Sequence, residues 1–157
     1  MAWTTPRTWV ANDLVGATLL NTHLRDNLNA LKSPPTDRAA ELAGTFSTSS
    51  TSFVSVPNAE VEITTAGGKL MVGAVGTLTA STGLVAAISL LIDGTTRAGS
   101  STLGLQRIYV PGASTNGFGF VYLSANMAAA NHTVTLQVST DTGYVSVPQW
   151  FLWVQEA

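Results

Sequence analysis

Charge almost disappears from the chain once residue 43 is passed. From Gly44 to Ala157 the only ionic side chains are Glu60, Glu62, Lys69, Asp93, Arg97, Arg107, Asp141 and Glu156. Between them run short stretches of Val, Ile, Leu, Phe and Thr, broken by Gly, Ser, Asn and Pro. Such a stretch specifies a β-rich domain whose polar faces are built of Thr and Ser rather than ions. A catalytic site draws on clustered titratable groups, which this stretch does not supply. The chain therefore reads as a structural or binding module.

Length and composition narrow the choice further. The 157 residues give one domain plus an appendage, and 45% hydrophobic content is enough for a full core. A net charge of −2 leaves no basic footprint for nucleic acid. With no cysteine there is neither disulfide nor zinc-finger chemistry. The start, MAWTTPRTWV, lacks the basic and apolar regions of a signal peptide. The most apolar run, Leu84 to Ile92, falls far short of the roughly 20 residues of a membrane helix and reads as a buried strand. No membrane partner is expected. Release from a host by lysis would account for an exterior protein with no secretion signal.

The chain divides at Ser33-Pro34-Pro35. Before it, Ala17, Leu20, Leu24, Leu28 and Leu31 recur at steps of three and four, which predicts a helix over Leu14 to Lys32. Asn12 or Asp13 is the expected cap, and Ser33, lying before proline, the expected stop. Two readings of its leucine stripe stand side by side: packing on the rest of the domain, or burial against copies of itself or another protein. An isolated helix of this size is marginal in water, so some partner surface is required. Residues 1–35 thus form an anchoring arm and helix, 36–43 a polar connector with at most a short helical turn, and 44–157 the β domain.

In that domain the period-two segments are Gly44–Thr48, Phe53–Val56, Ala59–Thr64, Lys69–Thr79, Leu84–Asp93, Arg107–Val110, Phe118–Asn126, Thr133–Thr140 and Trp150–Gln155. Asp93-Gly94 signals a hairpin, and Gly67-Gly68, Pro111-Gly112, Asn116-Gly117 and Thr142-Gly143 mark further turns. The expected fold is mainly β, an antiparallel jelly-roll sandwich with a short N-terminal arm and α-helix. Two strands are apolar on both sides. Phe118, Phe120 and Tyr122 share one face against Gly119, Val121 and Leu123, while Trp150, Leu152 and Val154 oppose Phe151 and Trp153. One face serves the core, and the other calls for a second subunit or for the N-terminal helix as its cover. The trimer contact is assigned to Phe118, Phe120, Tyr122, Trp150 and Trp153.

The residues able to carry chemistry are few. His23 and His132 lie in different segments, and Asp26 stands one helical turn from His23. A hydrogen-bonded structural role outweighs a metal pair for both, so no metal or cofactor is expected. A Ser-His-Asp hydrolase lacks a G-x-S-x-G elbow, and Glu60 with Glu62 matches an exposed strand edge as well as a glycosidase pair. No catalytic residue is assigned. The Asn131-His132-Thr133 sequon has no secretory context. Tyr109, Tyr144 and Trp150 lie near turns, where aromatics can stack on sugars, although core or interface roles are the more ordinary use.

Trp3-x-x-Pro6-Arg7-x-Trp9, followed by Leu20-Asn21-x-His23-Leu24-Arg25-Asp26-Asn27-Leu28-x-x-Leu31-Lys32, resembles a signature of tailed-bacteriophage and prophage structural proteins. The segments Phe53-Val54-Ser55-Val56-Pro57, Leu90-Leu91-Ile92-Asp93-Gly94-Thr95, His132-Thr133-Val134-Thr135-Leu136-Gln137-Val138 and the aromatic last strand resemble trimeric jelly rolls of the tumour-necrosis-factor and C1q-like type. The resemblance implies a homotrimeric, non-enzymatic virion protein, on the capsid exterior or the tail. Trp3, Pro6, Arg7 and Trp9 would dock on the major capsid protein or another virion protein, and Leu20, Leu24, Leu28 and Leu31 would pack the helix. A compact knob on a short anchor favours capsid decoration. The alternative is a tail-fibre or tail-tip receptor-binding knob with a host-surface glycan as partner.

Overall fold

The computed structural model describes residues 4–5, 7–80, 82–112 and 114–157, without side-chain detail at 96–97. Two antiparallel sheets face each other. The first has the order β1-β10-β4-β8, with the two-residue β2 also on β10, and the second runs β3-β9-β5 with β6 and β7 sharing the outer edge of β5. The strands are β1 Thr36–Glu41, β2 Ser47–Thr48, β3 Val54–Thr64, β4 Leu70–Ala80, β5 Leu84–Ile92, β6 Thr96–Ala98, β7 Gln106–Val110, β8 Ser114–Leu123, β9 Asn131–Thr140 and β10 Val145–Glu156. From β2 onward the chain changes sheet at almost every connection, which is the winding of a jelly roll. The expected fold class holds.

The core fills the space between the sheets with one face of each strand. Leu70, Val72, Ala74 and Leu78 of β4 meet Leu84, Ile88, Leu90 and Ile92 of β5 and Val134, Leu136 and Val138 of β9. Burial at about 25 cal/mol per Å² of apolar surface drives this layer together. Two prolines lie where strand pairing breaks. In β3 the register shifts between Ser55 and Glu60, around Pro57 and Asn58, and Asn58 takes φ 59°. In β10 it shifts between Ser146 and Gln149, around Pro148. Each bulge reverses which residues face inward: Val56 gives way to Ala59, Val61 and Ile63, and Val147 to Trp150, Leu152 and Val154. Pro57 thus sits inside one long strand, where two separate strands were expected.

Two expectations at the N-terminal side need correcting. The segment assigned as a connector is β1, paired residue for residue with β10 from Thr36↔Gln155 to Glu41↔Trp150. The sandwich therefore starts at Thr36, not Gly44. An edge strand needs only one covered flank and little apolar content, and Thr36-Asp37-Arg38-Ala39-Ala40-Glu41 offers Ala39 alone to the core. The helix starts at Ala17 rather than Leu14, behind Gly16 and without a side-chain cap. It runs α1 Ala17–Leu20, passes through a π-helical turn over Asn21–Asp26, and ends as α2 Asn27–Lys32. Ser33 leaves the helical region ahead of Pro34, as expected (φ −138°, ψ 69°).

Candidate functional site

The arm is tied to the helix through a single buried amide. Thr4 N–H donates to Asn27 Oδ1 at 2.9 Å, and Asn27 Nδ2 donates back to the Thr4 carbonyl at 2.8 Å. Asn27 is 4% exposed, the only buried residue of the helix among those described. Farther along, Asp13 Oδ2 accepts from Val10 N–H at 3.1 Å and pairs with Arg7 Nη2 at 3.1 Å. The Arg7 guanidinium also stands 5.0 Å from the centre of the Trp9 ring, within cation–π range. Arg7 thus braces Trp9 inside its own chain. Trp9, Val15, Leu20, His23 and Leu24 line an apolar depression of about 220 Å³, in which His23 Nδ1 is buried with no partner among the described residues. Trp3 and Pro6, the other docking assignments, lie outside the described residues.

The leucine stripe is not covered by the sandwich. Leu20, Leu24, Leu28 and Leu31 are all exposed, together with Leu14 and Val15. The end of the helix approaches the β domain, where Leu31, Pro34, Pro35, Gly67 and Ala157 surround a crevice of about 360 Å³. Within one chain, the stripe remains open to water.

A second apolar surface occupies the outer face of the first sheet. The register sets Met71 beside Leu123, Val121 and Trp153 on either side of Gly73, and Phe151 beside Val75. Val75, Val121 and Leu123 are 51%, 66% and 52% exposed. Trp153 lies against Gly73, where an added Cβ would fall inside the indole. The sequence identified both faces of β8 and β10, but the structure reverses the use of most of the residues chosen for a trimer contact. Phe118 and Trp150 point into the core at 6% and 2% exposure, and Phe120 and Tyr122 pack half-buried on the same inner side. The reason is volume. The inner face of β4 opposite them is Val72, Ala74 and Gly76, small enough to admit four aromatic rings. Of the five residues, only Trp153 faces outward.

At the end of the sandwich nearest the helix, His132 closes a polar network. Its ring is 5% exposed, with Nδ1 2.8 Å from Asp93 Oδ2 and Nε2 2.9 Å from the Ala128 carbonyl. The Ala128 carbonyl can only accept, so Nε2 donates to it, and an ionised Asp93 at Nδ1 favours the doubly protonated ring. The Ala128 carbonyl raises its pKa most, against desolvation, and the Asp93 carboxylate and the Glu156 charge add to the rise. Burial works to raise the pKa of Asp93, but the Thr133 amide and His132 prevail and lower it. Asp93 sits in the anticipated turn, with φ 51° and 67° at Asp93 and Gly94 and Thr95 N–H bonded to the Ile92 carbonyl. This pair escaped sequence reading because 39 residues separate its members. Glu60 and Glu62 accept hydrogen bonds from Thr135 and Asn131 across the strands, so both serve as cross-strand ties on the outer face of the second sheet. Of the aromatics considered for sugar stacking, Tyr109 and Tyr144 are exposed, at 64% and 63%, whereas Trp150 is in the core.

No described helix is long and apolar enough to cross a membrane. Neither a protein-family model nor a curated protein matches the chain.

Proposed function

We propose that the chain is a non-enzymatic structural protein of a tailed-bacteriophage virion, homotrimeric, attached through its N-terminal arm and helix, and acting as a decoration protein on the capsid exterior. The observation that carries the reading is the open leucine stripe of the helix, continuous in the chain with a sandwich whose outer sheet face is also apolar. A surface of that kind marks an interaction site. Self-association around a common axis would cover the sheet faces of all copies at once and gather their N-terminal arms on one side. The N-terminal signature supports a virion as the place of attachment. Trp9, braced by Arg7, is the aromatic anchor, and exposed aromatic and Arg groups are what interface centres use. Trp3 and Pro6 belong to the same proposed contact.

The function is tested by adding purified protein to particles that lack it. A decoration protein binds the assembled shell and not its unfolded subunits, so heat resistance of the shell rises by mass action. Unchanged shell stability, together with adsorption to cells that is absent without the protein and restored by adding it, would instead favour a receptor-binding knob on the tail.

A further inference from the structure

We infer that the outer face of the second sheet, at the pole opposite the helix, carries a binding site for a neutral pyranose sugar, centred on Arg107, Tyr109 and Asp141. The register sets Arg107 beside Ala87 and Tyr109 beside Val85, and places Ser139 on the other side of Ala87. Above them lies a cavity of about 220 Å³ whose floor is Val85 and Ala87 and whose walls include Arg107, Ser139 and Asp141. That is below the roughly 300–1,000 Å³ of drug-sized pockets and suits a single sugar ring. Asp141 is fixed in place: its Oδ1 accepts from Val85 N–H at 2.8 Å, and its N–H donates to the Val85 carbonyl at 3.0 Å. Its Oδ2 and the Arg107 guanidinium have no partner among the described residues. Tyr109 stands outside the cavity lining, one step along the same face beside Val85, exposed and with its hydroxyl against Gly83.

The chemistry matches a polyol. A pyranose presents hydroxyls that both donate and accept, and one C–H face that is apolar. The planar Arg107 fork donates to hydroxyl oxygens, the free Asp141 oxygen accepts from hydroxyls, and the exposed Tyr109 ring offers a surface for the C–H face. In a domain nearly devoid of ions, two of the eight charged residues after Gly44 line one small cavity. Their opposite signs cancel, which favours a neutral ligand over an anionic one. The inference depends on N-terminal attachment only for the outward direction of this pole.

The test is an NMR titration of the isotope-labelled full chain with methyl pyranosides of neutral hexoses and N-acetylhexosamines, with a uronic acid as the charged comparator. The Val85, Ala87 and Ser139 amides are expected to shift and saturate in the millimolar range, as single-sugar contacts do. Arg107→Ala, Tyr109→Ala and Asp141→Asn, the last keeping an acceptor for Val85 N–H, should each weaken binding by roughly tenfold or more. Absence of saturable shifts with every neutral sugar at tens of millimolar overturns the inference, as does binding of the uronic acid alone or binding that survives all three substitutions. Particle attachment is measured separately, so this site can fail while the anchoring reading stands.

Discussion

His132 lies between two oxygens, the Asp93 carboxylate and the Ala128 carbonyl, which favour its charged form. Its folded pKa is raised above the ordinary 6.5, so its contribution to stability is complete below that value and is lost as pH rises through the folded pKa. Asp93 runs the other way: its pKa is lowered from 3.8, so its contribution is present above that value and is lost as pH falls through the folded pKa. The pair is therefore strongest between 3.8 and 6.5. Thermal melts at a series of pH values should show a fall on the alkaline side that His132→Gln abolishes, and an imidazole titrating below 6.5 by NMR would contradict the cationic assignment. Phe118 gives a second residue-scale prediction. It fills the core opposite Gly76, so Phe118→Ala should cost about 3–5 kcal/mol in chemical denaturation, the usual range for a buried aromatic truncation. An unchanged denaturation midpoint combined with lost self-association would return Phe118 to the subunit contact.

Elements differ in how openly the sequence announces them. Strands with long apolar runs, such as Leu84–Ile92, and the Asp93-Gly94 turn were legible because period and turn chemistry agree. β1 was not, because an edge strand of Thr, Asp, Arg and Glu carries no apolar alternation and is made a strand by its neighbour β10. The bulge at Pro57 looked like a strand end because a proline cannot donate to a ladder, yet a bulge tolerates it. The face assignment of β8 and β10 depended on β4, which lies far away in sequence but supplies the small residues that decide where the aromatics go. The site residues followed the same rule: Arg107 and Asp141 meet only through the pairing of β5 with β7 and β9. Two truncations test the revised boundary. A chain beginning at Ser33 retains β1 and should keep the melting temperature of the sandwich. One beginning at Gly44 strips the edge of β10 and should melt roughly 5–15 °C lower, at about 2–4 °C per kcal/mol for a domain of this size. Equal melting temperatures would make β1 dispensable.

For the whole molecule, two open apolar surfaces lie on one small chain and call for a cover. The helix stripe and the outer face of the first sheet would each leave large side chains in water, and only association removes both. A stable interface buries about 1,200–2,000 Å² in total, so a cover of that scale is needed. Under the proposed trimer, Val75, Val121, Leu123, Phe151 and Trp153 would lie at the contact in place of Phe118 and Trp150. Val121→Glu is the discriminating change: the side chain is 66% exposed in the single chain, so a charge there leaves the fold intact while burying an unpaired carboxylate in the assembly. Light scattering at micromolar concentration should give a trimer mass for the native chain and a monomer mass for Val121→Glu, with matching circular dichroism. Attachment to particles should weaken in the same variant, because three arms bound together gain avidity that a single Trp9 anchor lacks. Trp9→Ala should abolish attachment and leave the trimer mass unchanged. A native chain that is monomeric under these conditions would overturn the trimer, whereas a Val121→Glu variant that stays trimeric would remove the sheet face from the assembly and leave the helix stripe as the surface that joins the copies.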